Sequence, residues 1–133
     1  MEAFSNGKKL KVMIVDDSHL NRKMLTSMLA VDGHECLQAE DGLAAVALMA
    51  GRETGENVVD AILMDNNMPR MSGPAAVKEI RRRGFKGVIL GVSGDALSTD
   101  EFAAAGANGT LLKPISREEL LGAIALHLVT DRV

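Results

Sequence analysis

Tryptophan and tyrosine are absent from this sequence, phenylalanine occurs only three times, and there is one cysteine. So few aromatic rings offer no stacking platform for nucleic-acid bases or for a flavin. The lone Cys36 can neither close an internal disulfide nor complete a zinc site, which fits a reducing compartment and gives a cytoplasmic expectation. Long apolar runs are missing as well. No stretch approaches the ~20 residues that a membrane-spanning helix requires, and the opening MEAFSNGKK lacks the apolar segment of a signal peptide. Positive charge is not in excess: the formal net charge is -3. The one basic cluster, Arg81-Arg82-Arg83, falls at an expected helix end, where cations complement the macrodipole. Neither nucleic acid nor a membrane surface is therefore expected as a direct partner.

What is present is a regular alternation. A chain of 133 residues suits one domain with its own core, here assigned to residues 9–130, with 1–8 as a flexible N-terminal segment. Short apolar runs at 10–15, 35–39, 58–64, 87–92 and 110–112 alternate with stretches of helical periodicity. Leu20, Met24, Leu25, Met28 and Leu29 mark one helical face, with Ser18 as its cap. Asp41 is the cap expected for the Ala-rich segment that follows. Pro74 is tolerated in the first turn of a helix over 73–83, because its missing N–H has no partner there. A short helix near 98–105, capped by Ser98 or Thr99, has little apolar anchorage beyond Phe102. The final helix opens with a capping-box pattern, Ser116 to Glu119. Five βα units predict an α/β fold: a single flavodoxin-like, doubly wound parallel sheet with strand order 2-1-3-4-5.

In such a sheet ligands bind beyond the carboxyl ends of the strands. The polar residues collect there: Asp16 and Asp17 after the first strand, Asp65 after the third, Ser93 after the fourth and Lys113 after the fifth. The order 2-1-3-4-5 makes the first, third, fourth and fifth strands neighbours, so these ends converge on one crevice. Three carboxylates brought together repel one another unless a cation compensates. Mg²⁺ suits the need, since it takes hard oxygen ligands and commonly uses one or two carboxylates plus phosphate oxygens. Asp17 and Asp65 are the expected direct ligands, with Asp16 holding a metal-bound water. A carboxylate is also a recognised nucleophile for phosphoryl transfer, and Lys113 and Ser93 can donate to the transferred group.

Taken singly, each motif has a plainer explanation. Asp-Asp after a strand often only favours a helix dipole, Lys-Pro is commonplace, and Ser93-Gly94-Asp95 reads as a turn. The eight methionines read as core filler, and His19, His34 and His127 read as structural. The conjunction of reactive ends on one sheet edge is what separates the functional reading from these. A dehalogenase-like phosphatase normally places its nucleophile after the first strand in a DxD pattern. A flavin carrier needs a phosphate cradle where DDSHLN presents carboxylates.

The strings MIVDDS, ILMDNNMPRMSG, Val92-Ser93-Gly94 and LLKP resemble, in order and spacing, the response-regulator receiver domains of two-component and phosphorelay signalling. The resemblance implies Asp65 as phosphoacceptor, Asp16 and Asp17 as the acidic pair for Mg²⁺, and a backbone carbonyl of Asn67 on the metal. It further implies Ser93 as switch hydroxyl and Lys113 as the invariant-type lysine. The implied protein is a phosphoacceptor rather than a conventional enzyme, catalysing its own phosphorylation and dephosphorylation. Its donor would be a histidine kinase or a histidine phosphotransfer protein, and its state a monomer or weak dimer. MPRMSG and GTLLKP look more like the receivers of hybrid histidine kinases, which leaves a stand-alone receiver or a module of such a kinase as the expectation. A degenerate receiver would have lost the acidic pair, the acceptor or the lysine. One departure is visible: receivers usually carry Tyr or Phe three residues before the lysine, and here that position is Thr110. The usual relay from hydroxyl to aromatic ring is therefore not expected, and output is expected through backbone shifts of the loops after Asp65 and Ser93.

Overall fold

The computed structural model describes the backbone of residues 9–131 and side chains as far as residue 128; the expected flexible segment 1–8 lies outside the described residues. Five strands alternate with five α-helices among the described residues. They are β1 (Lys11–Val15), α1 (His19–Ala30), β2 (Glu35–Ala39), α2 (Gly42–Leu48), β3 (Ala61–Asp65), α3 (Gly73–Arg82), β4 (Val88–Ser93), α4 (Thr99–Ala105), β5 (Gly109–Leu112) and α5 (Arg117–Asp131). All pairings are parallel and the order is β2-β1-β3-β4-β5, as the alternation predicts.

Helices cover both faces of the sheet, which explains why the central strands read as unbroken apolar runs rather than alternating ones. β3 and β4 are buried at every position, whereas the edge strand β2 carries exposed Glu35 and Gln38. One core layer gathers Leu25 and Leu29 of α1 with Leu120, Leu121, Ile124 and Leu128 of α5 against Val12, Ile14, Leu63 and Leu90. The other sets Val46, Val77, Ile80 and Phe102 of α2, α3 and α4 against Met13, Val15, Ile62, Met64 and Ile89. Successive strand residues thus point into opposite layers, and each fully buried large side chain contributes about 1.5–3 kcal/mol.

Local chemistry sets the helix starts. The side chains of Ser18, Asp41 and Ser72 accept from the N–H groups of Asn21, Ala44 and Ala75, and Ser116 and Glu119 form a reciprocal capping box. Ser98 holds the cap position of α4, as expected, but not by a side-chain bond. Its hydroxyl donates to the Asp95 carbonyl at 2.7 Å, while Asp95 caps a single 3₁₀ turn, Ala96–Ser98, that leads into α4. β3 starts later than expected because Asp60 is used differently: its carboxylate accepts from the Lys11 N–H at 2.9 Å and ties the strand entrance to β1. The arginine cluster divides likewise. Arg82 and Arg83 pair with Glu79 on the helix surface. Arg81 instead reaches the carbonyls of Phe85, Gly87 and Gly106 and the Asn108 side chain, stapling the end of α3 to the start of β4 and the turn before β5.

Gly91 in β4 leaves the space that the Phe102 ring fills; a Cβ there would stand 2.5 Å from Phe102 Cδ2. Phe102 is fully buried and is the buried anchor of the short helix α4. Gly91→Ala is expected to destabilise the fold by about 1–3 kcal/mol through overpacking, read as a lower denaturation midpoint with an unchanged slope. An unchanged midpoint would show that the ring relaxes freely.

Candidate functional site at the carboxyl edge of the sheet

The four consecutive strands β1, β3, β4 and β5 deliver reactive groups to the same edge. β1 runs into Asp16 and Asp17, β3 ends on Asp65, β4 ends on Ser93, and β5 is followed by Lys113. The register keeps them together: Asp65 lies opposite Val92, Ser93 lies opposite Leu112, and the Lys113 N–H donates to the Ser93 carbonyl at 2.8 Å. The Lys113-Pro114 peptide is cis.

Asp16, Asp17 and Asp65 each offer a carboxylate oxygen within 4.8 Å of the others. Asp16 and Asp65 are buried and Asp17 is exposed, so the cluster opens to solvent on one side. Lys113 Nζ donates to Asp65 Oδ1 at 2.9 Å and lies 3.6 Å from Asp16 Oδ2. Burial pushes the Asp65 carboxyl above the ordinary carboxylate range, and the charge of Asp16 adds to the rise against the opposing bond from Lys113. For Lys113, burial acts to lower the pKa, yet the bond to Asp65 and the charges of both carboxylates outweigh it and raise the ammonium's pKa. The pocket therefore holds more negative charge than one lysine neutralises. Closely set hard oxygen donors with a surplus of negative charge suit a small divalent cation, so the residues present fit Mg²⁺.

Other predicted residues take distinct places. Ser93 is buried, and its hydroxyl donates to the Asp95 carbonyl at 3.2 Å and accepts from the Asp95 N–H at 3.0 Å. Asn67 is exposed two residues beyond Asp65, in the loop that enters α3. That loop approaches the acceptor closely: a Cβ on Gly73 would stand 2.0 Å from the Asp65 carbonyl oxygen. Thr110 is half-buried in β5, opposite Gly91. His34 lies away from the site, where its Nδ1 accepts the Leu10 N–H at 3.0 Å. Burial pushes the Cys36 thiol up to about 11, which leaves it unreactive.

Sequence reading passed over the residues that steady Asp16. Its carboxylate accepts from the Ser18 N–H at 2.8 Å and from Asn21 Nδ2 at 3.4 Å, and its carbonyl accepts from Arg22 Nη1 at 2.5 Å. The available signal was the helical turn Ser18 to Arg22, which brings those side chains back over the strand end. Also passed over was Arg70, paired with Asp41. The Arg70 guanidinium first, and the Ala44 N–H next, hold the Asp41 carboxyl below its usual range.

The raised pKa of Asp65 has a thermodynamic sign. An unfolded chain releases this proton more readily, so stability falls as pH rises from the ordinary carboxylate range through the raised value. Above that window the metal-free fold carries a cost that Asp65→Asn removes. The variant is expected to melt above the wild type at pH 7 in the absence of divalent metal, with the advantage shrinking as pH falls below the ordinary carboxylate range. Equal melting of the two proteins at pH 7 would contradict it.

Comparison with known proteins agrees with this geometry. Residues 12–125 match the response regulator receiver domain family. The two-component response regulator ORR42 of Oryza sativa is 41% identical over 105 residues, covering 78% of this chain and 76% of that protein. The sensor histidine kinase RcsC of Escherichia coli is 28% identical over 128 residues, 95% of this chain but only 13% of that kinase. Among solved structures, CheY4 of Vibrio cholerae superposes with a TM-score of 0.79 at 33% identity, covering 90% of this chain and 99% of CheY4. The receiver domain of the sensor histidine kinase PA1611 of Pseudomonas aeruginosa, solved with a magnesium ion in its active-site cleft, gives 0.78 at 28% identity, covering 92% and 99%. No described helix is long and apolar enough to cross a membrane. With its family match spanning most of the chain, its strand order and its acidic edge, this chain belongs to the response regulator receiver domains of two-component systems.

Proposed function

We propose that Asp65 accepts a phosphoryl group from a phosphohistidine donor, on a histidine kinase or a histidine phosphotransfer protein, and that the acyl phosphate switches the chain's partner interactions. The observation that carries this reading is the three-carboxylate cluster within 4.8 Å, bonded through Asp65 to Lys113. Asp16, Asp17 and Asp65, with the backbone carbonyl of Asn67, would hold Mg²⁺. Bound there, the cation supplies charge neutralisation to the phosphoryl oxygens in transit.

The chain's own residues do the rest. An Asp65 carboxylate oxygen attacks phosphorus, the P–N bond of the donor breaks, and its electron pair returns to that ring nitrogen; because the other ring nitrogen of the phosphohistidine carries a proton, the leaving group is neutral imidazole. Lys113 sits beside Asp65 at rest and donates to the phosphoryl oxygens afterwards, so its charge is matched throughout. Ser93 leaves its bonds with the Asp95 backbone and donates to the new group, which brings three strong acceptors. In the reverse sense, water attacks phosphorus, the bond to the Asp65 oxygen breaks, and inorganic phosphate leaves with the carboxylate regenerated. Asn67 and Asp95 flank the attack path and set how easily that water is positioned.

Intact-protein mass spectrometry after incubation with acetyl phosphate tests the acceptor. The expected result is a gain of one phosphoryl group that requires Mg²⁺ and vanishes in Asp65→Asn. No gain by a folded, Mg²⁺-binding wild type would favour a receiver that binds partners without phosphorylation. The second expectation concerns lifetime: bulkier residues at Asn67 are expected to change the dephosphorylation rate severalfold, on the order of 1 kcal/mol of barrier, while leaving phosphorylation intact. Identical decay across several such substitutions would remove Asn67 from this role.

A further inference from the structure

The loop between Asp65 and α3 is bent at Arg70, the one residue other than glycine with positive φ among the described residues, at 66°. A left-handed backbone costs a non-glycine residue roughly 1–2 kcal/mol, so something must hold it. The guanidinium does so by crossing to the first turn of α2: Nε donates to Asp41 Oδ2 at 2.6 Å and Nη2 to Asp41 Oδ1 at 3.1 Å. The acceptor is fixed in its turn, because the Asp41 side chain is only 4% exposed and also accepts the Ala44 N–H at 2.8 Å. A surface ion pair alone is worth little, but a two-point bond to a buried, pre-oriented carboxylate fixes direction as well as charge.

A second contact backs the same loop. A Cβ on Gly42 would stand 2.6 Å from the Met71 carbonyl oxygen, so the start of α2 presses against Met71 while Asp41 grips Arg70. At its far end the loop is closed by the Gly73 N–H donating to the Asn66 carbonyl at 2.8 Å. The stretch 66–72 is thus pinned at both sides of Asn67, and the pin nearer its middle comes from a helix that contributes nothing else to the acidic edge.

We infer that the Arg70–Asp41 pair is a positioning device for the chemistry at Asp65, holding the loop so that the Asn67 backbone meets the cation. This rests on the proposed phosphoacceptor reading. Arg70 touches no reacting atom; it acts through the path of the loop. Breaking the pair leaves the carboxylates of Asp16, Asp17 and Asp65 untouched and loosens only the ligand supplied by the loop, so metal affinity falls before the fold does.

Three single variants and one double variant test this. Arg70→Ala removes the donor, Arg70→Gly removes it at a backbone angle that glycine adopts without cost, and Asp41→Asn keeps a capping oxygen for Ala44 while removing the charge. Mg²⁺ affinity, titrated by calorimetry and by backbone amide shifts of residues 65–68, is expected to fall about tenfold in each, as for other loss of a ligand's supporting contacts. The double variant Arg70→Ala with Asp41→Asn is expected to fall no further than either single variant, and Arg70→Gly is expected to melt no lower than Arg70→Ala. Affinities equal to wild type, or losses that add fully in the double variant, overturn the inference. A wild type that binds Mg²⁺ and gains a phosphoryl group while the variants match it sinks the positioning role alone; a wild type that binds no Mg²⁺ overturns the phosphoacceptor reading with it.

Discussion

The ammonium of Lys113 stands 2.9 Å from Asp65 and 3.6 Å from Asp16, and it is the cation that the structure itself provides for three gathered carboxylates. At an effective dielectric of about 20, unit charges roughly 4–5 Å apart interact by about 3–4 kcal/mol. One ammonium therefore offsets part of the repulsion and leaves the rest, which adds to burial, the larger cause, in raising the pKa of Asp65. A site tuned in this way is unfavourable to hold and ready to accept positive charge. The remainder of the fold can be read as what it takes to hold it.

The holding is done by strands that cannot move apart. β1, β3 and β4 are paired along their length and buried between two apolar layers, so their carboxyl ends are fixed relative to one another within a hydrogen-bonded sheet. Backbone approach is as tight as the chemistry allows at two glycines. Gly73 lets the start of α3 meet the Asp65 carbonyl, and Gly91 admits Phe102, whose ring tip also lies within 3.0 Å of where a Gly73 Cβ would be. One aromatic ring thus links α4, β4 and the acceptor loop. In a sequence with three phenylalanines, this one occupies the seam between the site and a short helix.

The strand order and the five residues at four strand ends were legible because each rests on a strong local signal: apolar runs, capping residues, and charge placed where a buried strand stops. Asp16, Asp17, Asp65, Ser93 and Lys113 all stand where the topology sends them. What escaped the sequence was pairing over distance. Arg70 and Asp41 are 29 residues apart, and neither looks unusual alone: one is a loop arginine, the other a helix cap. Arg81 sat in a run of three arginines that composition treats as equivalent, yet its guanidinium finds four acceptors, two before β4 and two in the turn before β5. The missing side-chain bond at the α4 cap, Ser98, has a related cause. Asp95, three residues earlier than Ser98, took the capping role for a 3₁₀ turn, and Ser98 was left to bond back to Asp95. Competition among adjacent Ser, Thr and Asp is settled by loop geometry, which local propensity does not encode.

Ser93 and Asp95 also bear on how a change at Asp65 would travel. In the described arrangement the Ser93 hydroxyl is engaged twice by the Asp95 backbone. Turning toward a phosphoryl group exchanges neutral hydrogen bonds, each worth about 0.5–1.5 kcal/mol net, for a charge-assisted one worth about 1.5–3 kcal/mol. Two bonds given up for one make the exchange close to balanced, and it releases the Asp95 backbone, while the same residue caps the 3₁₀ turn through the Leu97 N–H and accepts from the Ser98 hydroxyl. A hydroxyl moving by one partner would therefore unsettle the entrance to α4, a helix begun without a side-chain cap of its own. Thr110 offers no ring to follow that motion from the neighbouring strand. The 3₁₀ turn and the start of α4 are thus the elements tied most directly, through Asp95, to the Ser93 hydroxyl.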